Sequence, residues 1–341
     1  MEKRSENKVK VSVCISVHNT AKYLPRCLDS VCAQTLQDLE IVIVNNGSTD
    51  NSEDIMYEYK NAHPERRFVI ISQEDRSLAG GRQSGIDNAS GEYLAFLDAD
   101  DLVEPVAYEK MLECAEREQV DIVEIQTLRD GVVLGSNMIG RHNTHDVLRQ
   151  YFRKEGIQSM LWLRLYKKSL FKKNVLPTIY TNNEDMFAMP CLLHAAKSIF
   201  FLNEPLHIYS TDNEGGVMKS ETFNPELAEK RFQSRQKALL AIPHFRNFVG
   251  EDDYAEYANE HCVHEAVYIM GFLLVDFIGK SMNEKENAVI NALDFKSKRE
   301  MNMFLHQHLP HTGSKSYLIY RLFGINFTYC FYRIINKIIK R

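Results

Sequence analysis

The first hundred residues alternate between short apolar runs and segments with helical periodicity. Four runs have the length and β-branched content of strands: Lys8–Val17, Glu40–Val44, Phe68–Ser72 and Tyr93–Leu97. Three helical segments separate them, and Thr20 is predicted to be the N-cap of the first. This alternation predicts a parallel α/β sheet with right-handed crossovers and helices on both faces. In such sheets, ligands bind beyond the carboxyl ends of the strands.

Polar residues follow three of the four predicted strands. They are His18 and Asn19 after the first, Asn45 and Asn46 after the second, and Asp98, Asp100 and Asp101 after the fourth. Adjacent carboxylates are costly to bury unless a cation neutralises them, and oxygen ligands suit Mg²⁺ or Mn²⁺. The alternative is a solvated turn in which Asp101 caps a helix beginning near Pro105. Neither GxGxxG nor GxxxxGK[ST] occurs at these ends, so no glycine-rich phosphate loop is expected.

Charge is distributed unevenly along the chain. Met301–Arg341 contains no Asp or Glu and six Lys or Arg, so the overall net charge of −5 leaves −11 for the remainder. Within Tyr317–Arg341, only eleven uncharged residues separate Arg321 from Arg333, which is too few to span a bilayer. We therefore expect a basic amphipathic segment at about 314–341 that contacts an anionic membrane peripherally. Docking of this segment on the protein or on a second subunit is the alternative.

The N-terminus and the cysteines indicate the cellular compartment. Met1–Lys10 is highly charged and leads into only a short apolar run, so no secretory segment is expected. The seven cysteines are widely spread and contain no CxxC pair, which favours reduced core thiols over a disulfide framework or a zinc site. We expect a cytoplasmic protein without a nucleic-acid partner, and oligomerisation is left open.

An ordered series of segments carries a resemblance to a known family. The segments are Val11–Asn19, Cys27–Val31, Glu40–Val44, Gly47–Asp50, Arg82–Gly85, Gly91–Asp101, Leu165–Lys167, Asn183–Asp185 and Glu204–Leu206. Together they resemble the glycosyltransferase family 2 enzymes, which have the GT-A fold. The resemblance implies a Rossmann-like, mainly parallel mixed sheet flanked by helices, in a catalytic domain over residues 1–220. Beyond it, residues 221–341 are predicted to form a helical appendage with helices over Pro225–Ala241, Glu251–Lys280 and Asn283–Leu309.

The resemblance also implies roles for individual residues. Asp100 would be the main ligand of Mn²⁺ or Mg²⁺, and Asp98 would lie nearer the ribose or the donor sugar. Asp185 would be the general base for the acceptor hydroxyl, although an acid at a helix N-terminus is the alternative reading. The other residues expected at the donor nucleotide are Ser16, His18, Asn19, Asn46, Arg82 and Ala99. His207 is a candidate additional metal ligand, and a packed imidazole is its alternative.

The chain departs from the family pattern on the donor side. Asn45 and Asn46 stand where many relatives have two aspartates, the second of which commonly contacts uracil. Ser16 replaces a frequent proline, and His18 replaces a frequent tyrosine. An asparagine can still accept a hydrogen bond, but it also donates, so base recognition could persist, weaken or shift to another nucleotide.

These observations predict a metal-dependent, inverting glycosyltransferase that moves one sugar from a nucleotide-sugar, with a UDP-sugar favoured, to an acceptor hydroxyl. The expected acceptor is a glycan or lipid-linked molecule in bacterial surface polysaccharide or glycolipid assembly, at the cytoplasmic face of the inner membrane. The alternative is a catalytically inactive nucleotide-sugar-binding or regulatory protein with the same fold. A sugar nucleotidyltransferase is disfavoured because His18, Asn19 and Thr20 do not form a glycine-rich loop with a basic residue.

Overall fold

The computed structural model describes residues 8–172, 175–176, 183–213, 225–312 and 315–339. The strands are β1 Val11–Val17, β2 Leu39–Asn46, β3 Arg67–Gln73, β4 Tyr93–Asp98, β5 Leu102–Val103, β6 Ile122–Arg129, β7 Val132–Leu134, β8 Gly140–Asn143, β9 Arg164–Lys167 and β10 Ser198–Tyr209. The first six helices are α1 Leu24–Cys32, α2 Ser52–Ala62, α3 Ser77–Asn88, α4 Ala107–Glu118, α5 Thr144–Arg153 and α6 Glu184–Ala195.

The strands form one mixed sheet with the order β3-β2-β1-β4-β9-β6-β10-β5. The strands β3, β2, β1 and β4 are mutually parallel, as are β6 and β10. The short strand β9 lies between β4 and β6 and is antiparallel to both. This Rossmann-like half, extended by antiparallel strands and flanked by helices, is the GT-A fold.

All four predicted strands are confirmed, and the first predicted helix boundary is wrong. Helix α1 begins at Leu24, and Tyr23 is its N-cap. Thr20 instead accepts the backbone N–H groups of Tyr23 and Leu24 through its carbonyl oxygen, which makes a turn before the helix. Pro25 explains the shift, because proline has no N–H to donate and is tolerated only in the first turn of a helix.

Helix α3 approaches the sheet closely, and its glycines allow this. A Cβ atom at Gly81 would lie 2.1 Å from the Ser16 Oγ atom, and one at Gly85 would lie 3.1 Å from the Cys14 Cβ atom. The first of these distances is too short for any side chain other than hydrogen. The close approach places Arg82 at the carboxyl ends of the strands.

The remaining helices form the C-terminal part of the chain. They are α7 Pro225–Ala238, α8 Ala241–Val249, α9 Glu251–Tyr254, α10 Ala258–Leu274, α11 Met282–Ala292, α12 Lys298–His308 and α13 Lys315–Ile339. Of the three long helices predicted before residue 310, the first ends at Ala238 instead of Ala241, the second is divided into α9 and α10, and the third is divided into α11 and α12. The division of the third helix has a clear cause, since the Ser297 side chain accepts the backbone N–H of Glu300 and so begins α12, as Ser281 does for α11.

The chain divides into two compact units. The first contains residues 1–148 and 156–215, and the second contains residues 149–155 and 216–341. The division near residue 215 lies close to the predicted boundary at 220, but the sequence did not predict that residues 149–155 belong with the C-terminal helices. In the second unit, the buried rings of Phe152, Phe245 and His261 lie against one another. Among the described residues, no helix has both the length and the apolar character needed to cross a membrane.

Candidate active site

The carboxyl ends of β1, β2 and β4 bring several predicted residues together. Ser16 of β1 is in register with Val44 of β2 on one side and with Asp98 of β4 on the other. Because paired residues of parallel strands lie side by side, Ser16 and Asp98 occupy adjacent positions at one edge of the sheet. Ala99 follows Asp98 and is buried.

Arg82 connects the end of β4 to helix α6. Its Nη2 atom lies 2.6 Å from Asp98 Oδ1, and its Nη1 atom donates to Glu184 Oε1. Arg82 is 6% exposed and Glu184 is 1% exposed, so this pair is almost completely removed from water. A guanidinium can bridge two carboxylates in this way because its five N–H donors form a rigid planar fork.

Asp185, the predicted base, immediately follows Glu184 in the first turn of α6. Its Oδ2 atom accepts a hydrogen bond of 3.2 Å from Ser159, and its Oδ1 atom accepts the backbone N–H of Met186. Burial raises the pKa of this carboxyl, while the positive charge of Arg82 acts in the opposite direction. A half-buried carboxylate with a raised pKa has the properties of a general base.

Asp100 lies in the turn after β4, where the segment following β10 contacts it. Asn213 Nδ2 donates to Asp100 Oδ2 at 2.7 Å. Arg26 of α1 donates to the Asp100 carbonyl at 3.1 Å and to both carboxylate oxygens of Asp212 at 2.6 Å. Burial raises the pKa of Asp100, and the neighbouring Asp98 charge raises it further. This arrangement holds the Asp100 carboxylate in a partly desolvated position where a cation would stabilise it.

His207 is fully buried beneath this turn. Its Nε2 atom lies 3.4 Å from Asp101 Oδ2, its Nδ1 atom lies 2.9 Å from Thr127 Oγ1, and its ring stacks on Trp162 at 4.1 Å. Burial raises the pKa of Asp101 to about 6, although His207 acts in the opposite direction. The packing matches the alternative reading of His207, with the imidazole in the protein interior.

The carboxylates at this site suit a metal ion that takes only some of its ligands from the protein. Within the described part of the chain, no group of three or more His, Cys, Asp or Glu side chains is placed to hold a metal ion. Asp98 and Asp100 supply carboxylates at the end of β4, where burial and the charge of Asp98 raise the pKa of Asp100. Mg²⁺ is commonly bound by one or two carboxylates and completed by substrate phosphates. These residues therefore suit an ion that arrives with a diphosphate.

The Asn46 side chain is completely engaged by the loop after β3. Its Oδ1 atom accepts from Gln73 Nε2 at 2.7 Å and from the Arg76 backbone N–H at 3.1 Å. Its Nδ2 atom donates to Asp75 Oδ1 at 3.1 Å and to the Ser77 carbonyl at 3.0 Å. An amide has two donors and one oxygen with two lone pairs, so these four bonds use its full capacity. In this conformation, Asn46 positions the loop and has no donor or acceptor left for a base.

His18 and Asn19 are held at the end of β2. His18 Nδ1 donates to the Asn46 carbonyl at 2.9 Å, which leaves the exposed Nε2 as the acceptor in the ring. Asn19 has a positive φ of 53° and accepts the backbone N–H of Thr49 at 2.7 Å. Both residues therefore line the sheet edge next to Ser16, as their positions in the sequence predict.

Four contributors to this site were missed by sequence reasoning: Arg26, Asp75, Glu184 and Asn213. Three of them lie in loops or on a helix surface with no local signal of burial. Glu184 offered one signal, because an acid in the first turn of a strongly apolar helix must find a partner when that turn is buried. The sequence did not show that the partner is Arg82.

Comparison with known proteins gives the family. The model of the family described as "Glycosyl transferase family 2" matches residues 12–179. These residues form a glycosyl transferase family 2 domain. The site residues Ser16, Arg82, Asp98 and Asp100 all lie within it, whereas Asp185 follows it.

Two curated relatives and one solved structure illustrate the similarity. The putative glycosyltransferase EpsH of Bacillus subtilis is 33% identical over 209 residues, covering 58% of this chain and 60% of the relative. The cholesterol galactosyltransferase of Borreliella burgdorferi is 30% identical over 231 residues, covering 63% of each. This chain thus spans less than two thirds of either relative. A crystal structure of S. aureus TarS 1-349 in complex with UDP-GlcNAc has a TM-score of 0.63 at 19% identity, covering 94% of this chain and 89% of TarS 1-349. That similarity shows the shared fold.

Proposed function

We propose that this protein is a metal-dependent, inverting glycosyltransferase that moves a single sugar from a nucleotide-sugar to an acceptor hydroxyl. The observation that carries the proposal is the connection made by Arg82 between Asp98, at the end of β4, and Glu184, beside Asp185. A carboxylate suited to deprotonating an acceptor is thereby linked to a carboxylate suited to a diphosphate-bound cation. Both are needed for displacement at an anomeric carbon.

Each residue has a distinct part in the proposed reaction. Asp185 accepts the proton of the acceptor hydroxyl as the new bond to the anomeric carbon forms, and its raised pKa suits this transfer. Asp100 and Asp98 would hold Mn²⁺ or Mg²⁺. When bound, the ion neutralises negative charge on the departing nucleoside diphosphate. Arg82 keeps Asp98 and the start of α6 in fixed positions, which is the preorganisation that the reaction requires.

The donor and acceptor are proposed from the relatives. TarS binds UDP-GlcNAc, which supports a UDP-sugar as the donor. The cholesterol galactosyltransferase acts on a lipid, which supports a lipid-linked or membrane-bound glycan acceptor in surface polysaccharide or glycolipid assembly. Such an acceptor places the enzyme at the cytoplasmic face of the inner membrane, in peripheral contact through the basic segment at about 314–341.

The full-length protein tests this proposal directly. A thermal-shift screen of UDP-, GDP-, CMP- and dTDP-sugars, with and without Mn²⁺, identifies the donor. Mn²⁺-dependent release of the sugar from that donor, with Asp100→Ala as the inactive control, is the expected result. Equal release by the wild type and Asp100→Ala contradicts the proposal.

A second candidate is a nucleotide-sugar-binding protein without turnover. The observation that favours it is the Asn46 side chain, whose donors and acceptors are all used inside the protein. This candidate predicts that UDP raises the melting temperature while no sugar is released with any donor in the presence of Mn²⁺.

A further inference from the structure

The last helix, α13, has apolar residues on two opposite faces. One face is buried in the second unit through Tyr320, Ile325, Thr328 and Tyr329, each no more than 6% exposed. Tyr329 lies against the ammonium group of Lys285 from α11, at 4.3 Å from the ring centre. This face therefore attaches the helix to its own unit.

The opposite face carries a row of large apolar side chains in contact with solvent. They are Leu318, Leu322, Phe323, Phe327, Phe331, Ile334 and Ile338, with exposed fractions between 36% and 68%. At 100° per residue, positions 327, 331, 334 and 338 fall within about 60° of the helix circumference. We call these seven residues the apolar row. A contiguous row of this kind marks an interaction surface, because scattered exposed residues would show no such alignment.

The charged residues of α13 itself are all positive. Lys315, Arg321 and Arg333 of α13 are exposed, and no Asp or Glu occurs from Met301 to the end of the sequence. Of the three, Arg333 approaches an acid elsewhere, with its Nε atom 4.0 Å from Asp276 Oδ1. Helix α13 thus combines apolar side chains with cations and contributes no anion of its own.

This charge pattern decides between two occupants. If the apolar rows of two copies packed together, Arg321 and Arg333 of each copy would face only apolar and basic groups of the other helix, which is unfavourable. An anionic lipid surface supplies both the apolar interior and the missing negative charge. We propose that the apolar row of α13 is the membrane-docking surface of this protein, and that its partner is a bilayer containing anionic lipids.

The helix lies in the plane of the membrane surface. Its buried face is held by its own unit, so only the apolar row can enter the bilayer, and entry is limited to the headgroup and upper acyl region. Gly324 interrupts the helix with φ 77° and ψ 174°, and Phe323 and Phe327 on either side of it have ring centres 4.6 Å apart. The break separates Leu318, Leu322 and Phe323 from the later residues of the row, and the Phe323–Phe327 ring contact joins the two parts.

Flotation of the full-length protein with vesicles tests the inference. Wild-type protein should float with vesicles containing phosphatidylglycerol and remain at the bottom with pure phosphatidylcholine. Phe327→Ser/Ile334→Ser removes two exposed side chains of the row and should reduce binding at least tenfold.

The control is Met303→Ser, which removes an apolar side chain outside the row and should bind like the wild type. Met303 is 62% exposed and Ile334 is 60% exposed, so the two side chains are comparable. Arg321→Gln should weaken binding about fivefold, the loss expected for one cation near an anionic surface.

Cys330 provides a second measurement at the edge of the row. It is the exposed cysteine among the seven, of which five are buried and Cys262 is intermediate. A polarity-sensitive dye attached to Cys330 should shift its emission to the blue on addition of anionic vesicles, and the shift should be lost in Phe327→Ser/Ile334→Ser.

Two results overturn the inference. The first is equal flotation of the wild type and Phe327→Ser/Ile334→Ser. The second is a concentration-dependent dimer in sedimentation velocity that the same variant dissolves while vesicle binding is unchanged, which would make the row a subunit interface. The inference rests on the membrane contact of the proposed function but not on catalysis, because Asp100→Ala should float like the wild type even if no donor is ever cleaved.

Discussion

Arg82 and Glu184 form a buried ion pair between residues 102 positions apart in the sequence. The pair joins helix α3 to the first turn of α6, and the second arm of the guanidinium binds Asp98 at 2.6 Å. The proposed base at Asp185 and the proposed cation ligand at Asp98 are thus fixed relative to each other through one side chain. Arg82 therefore positions these two segments, since both terminal nitrogens of its guanidinium already donate to protein carboxylates.

Arg82→Ala should lower the free energy of unfolding by about 3–5 kcal/mol, because it leaves the Glu184 carboxylate buried without its partner. Arg82→Lys should recover only part of this loss, since a single ammonium group cannot reproduce the planar fork. Urea denaturation followed by circular dichroism measures both values.

The control for this prediction is Arg117→Ala. Arg117 pairs with Glu118 at the surface, where solvent screens the interaction, so its loss should leave the unfolding midpoint unchanged. If Arg82→Ala unfolds at the same urea concentration as this control, the buried pair has no structural role.

Asp185→Asn should lower kcat by about 100-fold or more while the donor still binds, because asparagine is nearly isosteric but cannot accept the proton. Single-turnover sugar transfer gives the rate, and titration calorimetry with the donor gives the affinity. Ser159→Ala, which removes only the hydrogen bond to Asp185 Oδ2, should have a much smaller effect. A wild-type rate in Asp185→Asn would assign the base to another group.

The pH dependence of the rate should report the environment of Asp185. The carboxylate is active when deprotonated, so the rate falls as the pH drops through its pKa. Burial raises that pKa, and the acid limb of kcat should therefore lie above the value of about 3.9 for an ordinary aspartate. Arg82→Ala removes the positive charge that opposes the shift, so its acid limb should move to higher pH. If the acid limb of the kcat–pH profile lies at the same pH in Arg82→Ala as in the wild type, the limb does not report the Asp185 carboxyl.

The first half of the sheet could be predicted because its signals are local. Strands β1 to β4 are short runs of β-branched residues bounded by turns, and their polar ends follow from parallel pairing. The insertion of β9 between β4 and β6 could not be predicted, because a strand of four residues, Arg164–Lys167, carries too little pattern. The Ser297 cap is a local signal that would have ended the helix predicted over Asn283–Leu309 at the boundary between α11 and α12.

From the sequence, individual residues of the proposed site could be predicted only where they match a motif of the family. Interactions between distant segments escaped prediction for a physical reason, since nothing near Glu184 specifies Arg82 and nothing near Asn213 specifies Asp100. His207 shows the reverse case. The resemblance suggested a metal ligand, whereas in the structure its Nδ1 atom lies 2.9 Å from Thr127 Oγ1 and its ring stacks on Trp162 in the interior.

Asp100→Ala should abolish Mn²⁺-dependent turnover with only a modest loss of stability, because Asp100 is half-buried and its main partner is Asn213. In the wild type, Mn²⁺ added with UDP should raise the melting temperature more than UDP alone, and this increment should disappear in Asp100→Ala. Asp130→Ala, at an exposed carboxylate outside the site, should retain it. An undiminished Mn²⁺ increment in Asp100→Ala would remove Asp100 from the set of ligands.

Asn46→Asp should destabilise the protein, although it restores the acid that many family members have at this position. The new carboxylate would oppose Asp75 Oδ1, now 3.1 Å from Asn46 Nδ2, and would leave the Ser77 carbonyl without its donor. The expected cost is about 1–3 kcal/mol, the range for a buried polar group that loses its partner.

Adding Asp75→Asn supplies an amide that can donate to the new carboxylate, so the double variant should recover part of the loss. A double-mutant cycle by urea denaturation measures this coupling, and purely additive effects would show that the Asn46 amide is not held by Asp75. If stability is recovered, the departure from the family pattern is explained: position 46 carries the amide and position 75, in contact with it, carries the acid.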